Sequence, residues 1–213
     1  MNLYNQDCLP AMKEMPDNAF SLAIVDPPYG IEIETSGTHF KKYTSKGWDS
    51  NTPPQGYFDE LFRVSESQII WGGNYFLDYL GKTKCFLIWD KMIGKGMSFA
   101  DAELAWTSSN KPTRIKKLCA NQKDRIHPTQ KPVALYKWLL KNYATKYGQT
   151  ILDTHLGSMS SVIACIDMGY SITGYEVDKE YFDNGVSRVQ RHLSQGRLFG
   201  LDFNLDIHYN EKK

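Results

Sequence analysis

Four consecutive residues, Asp26-Pro27-Pro28-Tyr29, have the composition of a site that acts on an amine. The apolar run at 22–25 before them predicts a fully buried strand. Proline lacks an N–H and keeps the preceding residue extended, so it must end that strand. The Asp26 carboxylate and the Pro27 carbonyl oxygen are then two hydrogen-bond acceptors at a fixed separation beside the Tyr29 ring. The alternative is a structural turn whose only role is to end the strand.

An exocyclic amine on adenine or cytosine is a poor nucleophile, because its lone pair is delocalised into the ring. Two acceptors that bind its two N–H bonds favour a more pyramidal nitrogen and direct the lone pair toward an electrophile. Tyr29 would stack on the base, which must leave its duplex or arrive single-stranded. The tetrapeptide therefore predicts a catalytic site for a base that carries an NH₂ group.

A second stretch, T-I-L-D-T-H-L-G-S-M-S-S at residues 150–161, has the layout of a ligand-binding turn. An apolar strand ends at Asp153, and a turn with Gly157 leads into an apolar helix that begins near Ser160. Backbone N–H groups at the start of such a helix often bind a ligand, although a single glycine also occurs in turns that bind nothing. The next strand ends at Glu176, whose carboxylate is well placed to accept hydrogen bonds from two ribose hydroxyls. Together the turn and the acid indicate a nucleoside-containing cofactor.

The elements that must position these residues alternate between strands and helices. The predicted strands are 3–5, 22–26, 68–71, 85–90, 103–107, 150–153 and 171–176. The predicted helices are 9–15, 57–64, 75–80, 133–147, 160–168 and 179–193. This alternation favours an α/β fold with a mostly parallel sheet, in which Asp26 and Asp153 face one cleft at the carboxyl ends of their strands.

The 213 residues are expected to form a single domain, 1–213, with two long loops at about 31–56 and 108–131. The second loop contains a basic segment in a chain of net charge +1, and the members of this segment are Lys111, Arg114, Lys116, Lys117, Lys123 and Arg125. Such a segment is either a solvated face or a surface that follows nucleic-acid phosphates. Both loops are therefore candidate DNA-contacting insertions.

Composition argues against several other classes of protein. Four cysteines lie far apart without a C-x-x-C pair, so neither a zinc site nor a disulfide framework is indicated. No apolar run approaches the ~18 residues of a membrane helix, and the N-terminus lacks the pattern of a signal peptide. The expected location is the cytoplasm.

The sequence resembles the β group of amino-DNA methyltransferases, which use S-adenosylmethionine (AdoMet) and carry the D-P-P-Y motif ahead of the AdoMet-binding motif. Four blocks occur in the family's order: Y-N-Q-D-C-L-P-A-M-K-E-M-P-D-N-A-F-S-L-A-I-V-D-P-P-Y-G, R-I-H-P-T-Q-K-P at 125–132, I-L-D-T-H-L-G-S-M-S-S, and G-Y-E-V-D-K-E-Y-F. They span most of the chain.

The resemblance implies roles for individual residues. Asp7 would contact the adenine ring of AdoMet, and Thr129 and Lys131 would lie near its methionine carboxylate. The turn of Asp153, Gly157 and Ser158 would bind the methionine part, and Glu176 the ribose. The family's turn usually reads D-P-F-x-G-S-G-T, and this chain departs from it at four positions, which are Thr154, His155, Met159 and Ser160. His155 stands where an aromatic residue is expected to contact the cofactor.

The resemblance also implies a doubly wound, Rossmann-like sheet of seven strands in the order 3-2-1-4-5-7-6. The seventh strand is antiparallel, and the motif order is circularly permuted, so that Asp7 and Asp26 end strands three and four. Asp153 and Glu176 would end strands one and two. The segment I-I-W-G-G-N-Y-F at 69–76 would end strand five, either as a wall of the base pocket or simply as a tight turn.

The activity implied is methyl transfer from AdoMet to the N6 amine of adenine in DNA, without a metal. N4 methylation of cytosine, which presents the same NH₂ geometry, is the nearest alternative, although the Asp form of the tetrapeptide resembles that of adenine enzymes. Methylation of RNA or of a protein amide, and a nucleic-acid-binding module without catalysis, are further alternatives. Dimerisation is common in the family, so a homodimer fits the resemblance, although no segment indicates an interface.

Overall fold

A computed structural model describes residues 1–31, 49–93, 100–121, 125–144, 148–196 and 204–210. Most of the first predicted loop, Lys123 of the basic segment and the predicted helix end at 145–147 lie outside the described residues. Within them, no helix is long and apolar enough to cross a membrane.

The described residues form nine strands. They are β1 (Asn2–Asn5), β2 (Leu22–Val25), β3 (Gln68–Trp71), β4 (Cys85–Asp90), β5 (Ala102–Thr107), β6 (Arg114–Lys117), β7 (Thr150–Asp153), β8 (Ser171–Tyr175) and β9 (Asp206–Tyr209). The α-helices are α1 (Cys8–Lys13), α2 (Gln55–Val64), α3 (Leu77–Leu80), α4 (Val133–Tyr143), α5 (Ser160–Met168) and α6 (Lys179–Gly196). A 3₁₀ turn (Gly73–Tyr75) precedes α3, where one continuous helix at 75–80 was predicted.

All nine strands belong to one sheet in the order β6-β4-β5-β3-β2-β7-β8-β1-β9. Only β5 runs antiparallel to its neighbours, β3 and β4. The inner seven strands have the order that the resemblance implied, and the expected doubly wound α/β fold is confirmed. The expected number of seven strands is wrong, because β6 and β9 extend the two edges of the sheet.

Both additional strands were missed because they carry little apolar pattern. The β6 sequence is Arg-Ile-Lys-Lys, and its residues are mostly exposed. The β9 sequence, Asp-Ile-His-Tyr, is also largely exposed. An edge strand has a neighbour on one side only and packs little surface, so hydrophobic periodicity does not reveal it. The predicted loop at 108–131 therefore contains a short strand.

Helices cover both faces of the sheet. One hydrophobic cluster joins the sheet to α4, α5 and α6, and the other joins it to α1, α2 and α3. The central strand β2, Leu-Ala-Ile-Val, is buried along its whole length, as expected for a parallel strand with both faces covered. This burial makes the strand ends rigid supports for the residues that follow them.

The acidic residues singled out in the sequence lie at the carboxyl ends of parallel strands. Asp26 comes directly after β2, and Glu176 directly after β8, one residue earlier than the strand ends predicted. Asp153 is the last residue of β7, and Asp7 lies two residues after β1. The fold thus places them together at the carboxyl ends of the strands, the usual position of ligand sites in open α/β sheets.

Candidate active site

Both oxygens of the Asp26 carboxylate have partners inside the protein. The Tyr29 hydroxyl donates a hydrogen bond to Oδ1 at 2.6 Å. The Lys131 ammonium donates to Oδ2. Since each carboxylate oxygen has two acceptor positions, Asp26 retains acceptor capacity toward a ligand while its orientation is fixed.

A buried carboxylate that the sequence did not indicate holds the D-P-P-Y turn. Oδ1 of Asp49 accepts hydrogen bonds from the backbone N–H groups of Tyr29 at 2.6 Å and Gly30 at 3.1 Å. Asp49 is 2% exposed. No local pattern could have identified it, because the contact joins positions about twenty residues apart. Asp49 therefore holds the backbone of the turn in place, in addition to the restriction that the two prolines impose.

The ring of Tyr29 packs against the turn that follows β3. It stacks on the ring of Tyr75 with centroids 5.1 Å apart and an interplanar angle of 17°. Gly72 has a φ of +68°, and a Cβ atom there would lie 2.2 Å from Tyr29 Cε1. The I-I-W-G-G-N-Y-F segment therefore forms a tight turn that packs against Tyr29, and its role as a wall of the base pocket stays a prediction.

Lys131 belongs to a row of alternating charges. Its Nζ lies 3.0 Å from Oε2 of Glu103, and Nζ of Lys91 lies 2.7 Å from Oε1 of the same residue. Glu103 is near the start of β5. Because that strand is antiparallel to its neighbours, its first residues lie beside the carboxyl ends of the parallel strands, where Asp26 is. No sequence pattern indicated this row, since its members come from four separate segments.

Burial and charge act against each other on these groups. Burial raises the pKa of Asp26 despite the opposing charge of Lys131. Burial also opposes ionisation of Glu103, but Lys131 and Lys91 outweigh it and hold the pKa of Glu103 below its usual value. The two carboxylates likewise outweigh burial at Lys131 and raise its pKa. Lys131 therefore stays cationic, and Asp26 is the group whose ionisation is most opposed.

A cleft of about 770 Å³ opens to solvent beside these residues. Six of the eight predicted cofactor-binding residues line it, namely Thr129, Lys131, His155, Gly157, Ser158 and Glu176. Asp7 and Asp153, the other two, are not among the residues that line it.

Glu176 is fixed by the backbone around it. Its Oε2 accepts a hydrogen bond from the N–H of Gly157 at 2.8 Å, and its Oε1 accepts one from the N–H of Asp178 at 2.9 Å. The side chain of Asn5 donates to the carbonyl oxygen of Glu176 at 2.9 Å. Burial raises the pKa of Glu176 to about 7, and the two N–H donors only partly oppose it. The carboxylate thus connects the strand end to the glycine turn.

Asp153 holds the turn from inside. Its carboxylate accepts hydrogen bonds from Ser161 Oγ at 2.5 Å and from the N–H of His155 at 3.1 Å. It is 1% exposed, and burial raises its pKa to about 7. The structure therefore gives Asp153 contacts within the turn and with the first residues of α5. Its predicted contact with the cofactor stays a prediction.

His155 is a half-buried, neutral ring. Burial lowers its pKa to about 4, against the opposing charge of Asp7. Its Nδ1 lies 2.9 Å from Thr154 Oγ1, and its ring packs edge-on against Tyr57 with centroids 5.5 Å apart. Asp7 itself is exposed and accepts a hydrogen bond from the N–H of Leu9 at 2.9 Å, which caps α1.

The remaining turn residues are bound to each other and to α6. Ser158 Oγ lies 3.1 Å from Ser160 Oγ, and Arg188 donates to the Ser158 carbonyl oxygen at 2.6 Å. On the other side of the cleft, Thr129 Oγ1 lies 3.1 Å from Nδ1 of His127. His127, which no sequence pattern marked as a site residue, also lines the cleft.

A second cavity of about 330 Å³ adjoins the first. It contains the whole D-P-P-Y motif together with Asp49 and Glu103. The four residues that line both cavities are Asp26, Pro28, Thr129 and Lys131. A ligand in either cavity would therefore contact the same carboxylate and ammonium. Among the described residues, no group of three or more His, Cys, Asp and Glu side chains is arranged to bind a metal.

The described members of the basic segment lie in different local structures and make different contacts. Lys111 donates to the carbonyl oxygen of Asn142 and lies 4.8 Å from the centroid of the Tyr143 ring. Arg125 donates to the carbonyl oxygens of Pro128 and Ala120, both at 3.2 Å.

The other three described members of the segment, Arg114, Lys116 and Lys117, lie on β6. Successive side chains of a strand point to opposite faces, so Lys116 and Lys117 do not share a face.

Comparisons with known proteins agree on one class. A DNA methylase family model matches residues 70–187, more than half of the chain. The type II methyltransferase M.HpaI of Haemophilus parainfluenzae is 23% identical over 88% of this chain and 74% of its own length. The match to this family model begins at residue 70, after the D-P-P-Y motif, so the motif is evidence beyond the match.

Two solved structures have the same fold at low identity. The M1.HpyAVI complex with SAM has a TM-score of 0.60, with 20% identity, and the match covers 88% of this chain and all of that one. The PvuII DNA methyltransferase, described as cytosine-N4-specific, has a TM-score of 0.62 with 12% identity and covers 96% of this chain and 94% of that one.

Proposed function

Because the chain belongs to the DNA methylase family, an amino-DNA methyltransferase family whose members use AdoMet, we propose that it transfers a methyl group from AdoMet to the N6 amine of adenine in DNA. The observation that carries this proposal is the position of Asp26, whose carboxylate lines both cavities. An acceptor at the boundary between a cofactor cleft and a base pocket is what transfer between the two requires.

The larger cleft has groups of the right chemistry for AdoMet. Glu176 offers carboxylate oxygens to ribose hydroxyls, and the glycine turn leads into the start of α5, the kind of position at which α/β folds often bind ligands. Leu156, Val177 and Tyr181 supply apolar surface for an adenine ring. When bound, AdoMet supplies an electrophilic methyl group on a sulfonium.

The smaller cavity is suited to an amine. Asp26 and the Pro27 carbonyl oxygen would accept the two N–H bonds of the target amine, which directs its lone pair toward the larger cleft. Tyr29 would stack on the base with the face opposite to Tyr75, because Tyr29 lines this cavity and Tyr75 does not. A base must leave its duplex to enter such a pocket.

Adenine is favoured over cytosine by the Asp form of the tetrapeptide, which resembles that of adenine enzymes. The fold similarity to a cytosine-N4-specific enzyme keeps cytosine as the second candidate. Incubation with labelled AdoMet and mixed-sequence DNA, followed by mass spectrometry of the nucleosides, separates them. We expect N6-methyladenine, and N4-methylcytosine alone would overturn the choice of base.

The role of Asp26 is tested by Asp26→Ala and Asp26→Asn. Without the acceptor, the single-turnover rate at saturating AdoMet and DNA should fall by about a hundredfold or more, whereas AdoMet affinity should change little. Asn keeps one acceptor oxygen and should retain part of the activity. The matched control is Glu66→Ala, because Glu66 is exposed and lies just before β3, at the amino end of that strand and away from the site. A wild-type rate in Asp26→Ala would reduce the tetrapeptide to a turn.

A further inference from the structure

The Lys131 side chain is almost completely enclosed, although it lines both cavities. It is 2% exposed, and its ammonium is bound to the Asp26 carboxylate, with Glu103 at 3.0 Å and the Tyr29 hydroxyl at 3.3 Å. The rings of Trp71 and Tyr29 lie beneath the charge, with centroids 5.2 and 5.8 Å from Nζ. The ammonium therefore faces the D-P-P-Y motif and lies against its carboxylate.

Glu103 completes an arrangement in which the buried charges balance. Two carboxylates, Asp26 and Glu103, alternate with two ammonium groups, Lys131 and Lys91. A buried carboxylate without a partner would take up a proton and lose its capacity as an acceptor. Because Lys131 contacts both carboxylates, Glu103 gives the ammonium a second point of attachment besides Asp26.

We propose that Lys131 is a positioning residue for methyl transfer, which keeps Asp26 ionised and oriented as the acceptor of the target amine, and that Glu103 anchors Lys131 in that position. This inference rests on the proposed function. It differs from the resemblance, which assigned Lys131 to the methionine carboxylate of AdoMet. The two assignments predict different effects of removing the ammonium.

Several other groups act on Asp26 and must be held constant in a test. Tyr29 donates to it from the same turn, and Glu103 acts on it from β5. Asp153 at the end of β7, Tyr57 of α2 and Tyr136 of α4 are near enough to interact with its charge. All of these are unchanged in Lys131→Met, which removes only the ammonium.

The first measurement is the pH dependence of single-turnover methyl transfer at saturating AdoMet and DNA. An opposite charge in contact typically lowers the pKa of a carboxylate by about 1–3 units. In Lys131→Met the acidic limb of the profile should therefore move to higher pH by about 1–3 units, with an unchanged dissociation constant for AdoMet. Lys137→Met, which breaks the ion pair of Lys137 with Asp167, is the matched control and should keep the wild-type profile.

Glu103→Gln should move the same limb in the opposite direction. The negative charge of Glu103 opposes the ionisation of Asp26, so its removal favours the carboxylate and shifts the limb to lower pH. The plateau rate should nevertheless fall, because Lys131 loses its ion pair with the Glu103 carboxylate. A purely structural role for either residue would lower rates without opposite shifts.

The ionisation of Asp26 can also be followed without any turnover, by titration of its ¹³C carboxyl resonance, assigned by its loss in Asp26→Asn. The resonance should titrate at higher pH in Lys131→Met and at lower pH in Glu103→Gln. If Lys131→Met is too unstable, the double variant Lys131→Met/Glu103→Gln removes one charge of each sign. In that protein the Asp26 titration should still lie above that of Glu103→Gln.

The outcomes separate the two proposals. Unchanged Asp26 titrations with a weaker affinity for AdoMet in Lys131→Met would overturn the positioning role and return Lys131 to the cofactor. If the Asp26 titration shifts as expected in the two variants but the wild-type protein methylates no DNA, the proposed function alone is overturned. The pairing of Lys131 with Asp26 would then still be established.

Discussion

The side chain of Met159 fills the space that a side chain at Gly185 would need. A Cβ atom at Gly185, on α6, would lie 2.7 Å from Met159 Cγ and 2.9 Å from its Sδ. Met159 has a φ of +57°, the left-handed conformation that glycine adopts without strain, at a position where related methyltransferases usually have glycine. The methionine is completely buried, so packing against α6 accompanies the backbone strain.

This relationship predicts that Gly185→Ala destabilises the protein although alanine favours helices. Overpacking against Met159 should lower the free energy of unfolding by about 1–3 kcal/mol in denaturant titrations. Gly56→Ala, on α2 with no atom within 4 Å of the new Cβ, is the matched control and should be neutral or slightly stabilising. In a Met159→Gly background the Gly185→Ala substitution should lose most of its cost, and equal costs in both backgrounds would contradict the contact.

Most of the fold could be predicted from the sequence because the inner strands are short apolar runs between helices. Strands β3, β4 and β7 have the predicted bounds, and α5 also does. Burial on both faces gives these strands a continuous apolar signal. The edge strands β6 and β9 gave none, because exposed strands do not need apolar residues.

The site could be predicted only where its chemistry lies in one segment. Asp26 and Tyr29 are neighbours in the sequence, and so are Gly157 and Ser158. Glu103, by contrast, reaches Asp26 through Lys131 from a separate strand, and Asp49 binds the turn from about twenty residues further along the chain. Such contacts depend on tertiary packing, which single-segment patterns do not contain.

Tyr75 should support Tyr29 and should not contact the base. Tyr75→Ala removes a stacked partner that contributes about 0.5–1.5 kcal/mol in typical aromatic pairs. With its ring less well fixed, the enzyme should show a higher KM for DNA and a lower single-turnover rate, whereas Tyr75→Phe should behave as wild type. Measurements with DNA carrying the target base and with DNA lacking it would show whether the loss requires the base. A tighter KM in Tyr75→Ala would mean instead that Tyr75 occupies the position of the base.

The β6 strand should contribute one DNA-facing lysine and not two. Lys116 pairs in register with Trp89 and Lys117 with Asp90, so their side chains lie on opposite faces of the sheet. Lys117 is exposed and lies at the strand end nearest the active-site edge, so Lys117→Gln should flatten the slope of log affinity against log salt by about 0.9 units. Lys116→Gln should leave the slope unchanged. Equal effects of the two substitutions would contradict the assignment of a single DNA-facing side.

Glu176 should make AdoMet binding depend on pH. Burial, together with the nearby charges of Asp178 and Asp153, raises its pKa to about 7 against the opposing N–H donors of Asp178 and Gly157. Ribose hydroxyls donate best to the ionised carboxylate, so the affinity should be full above pH 8 and fall as the pH drops through 7. One proton per complex limits the fall to about tenfold per pH unit.

Glu176→Gln should remove this dependence and weaken binding at pH 8 by about 1.5–3 kcal/mol, the range for hydrogen bonds to a charged group. Asp153 also has a pKa of about 7 but is not among the residues that line the cleft, so Asp153→Asn should keep the slope and serves as the control. Calorimetric titration of each variant with AdoMet between pH 5.5 and 8.5 measures both quantities. If Glu176→Gln kept the wild-type slope while Asp153→Asn lost it, the titrating group would be Asp153, and the ribose acceptor would have to be sought elsewhere in the cleft.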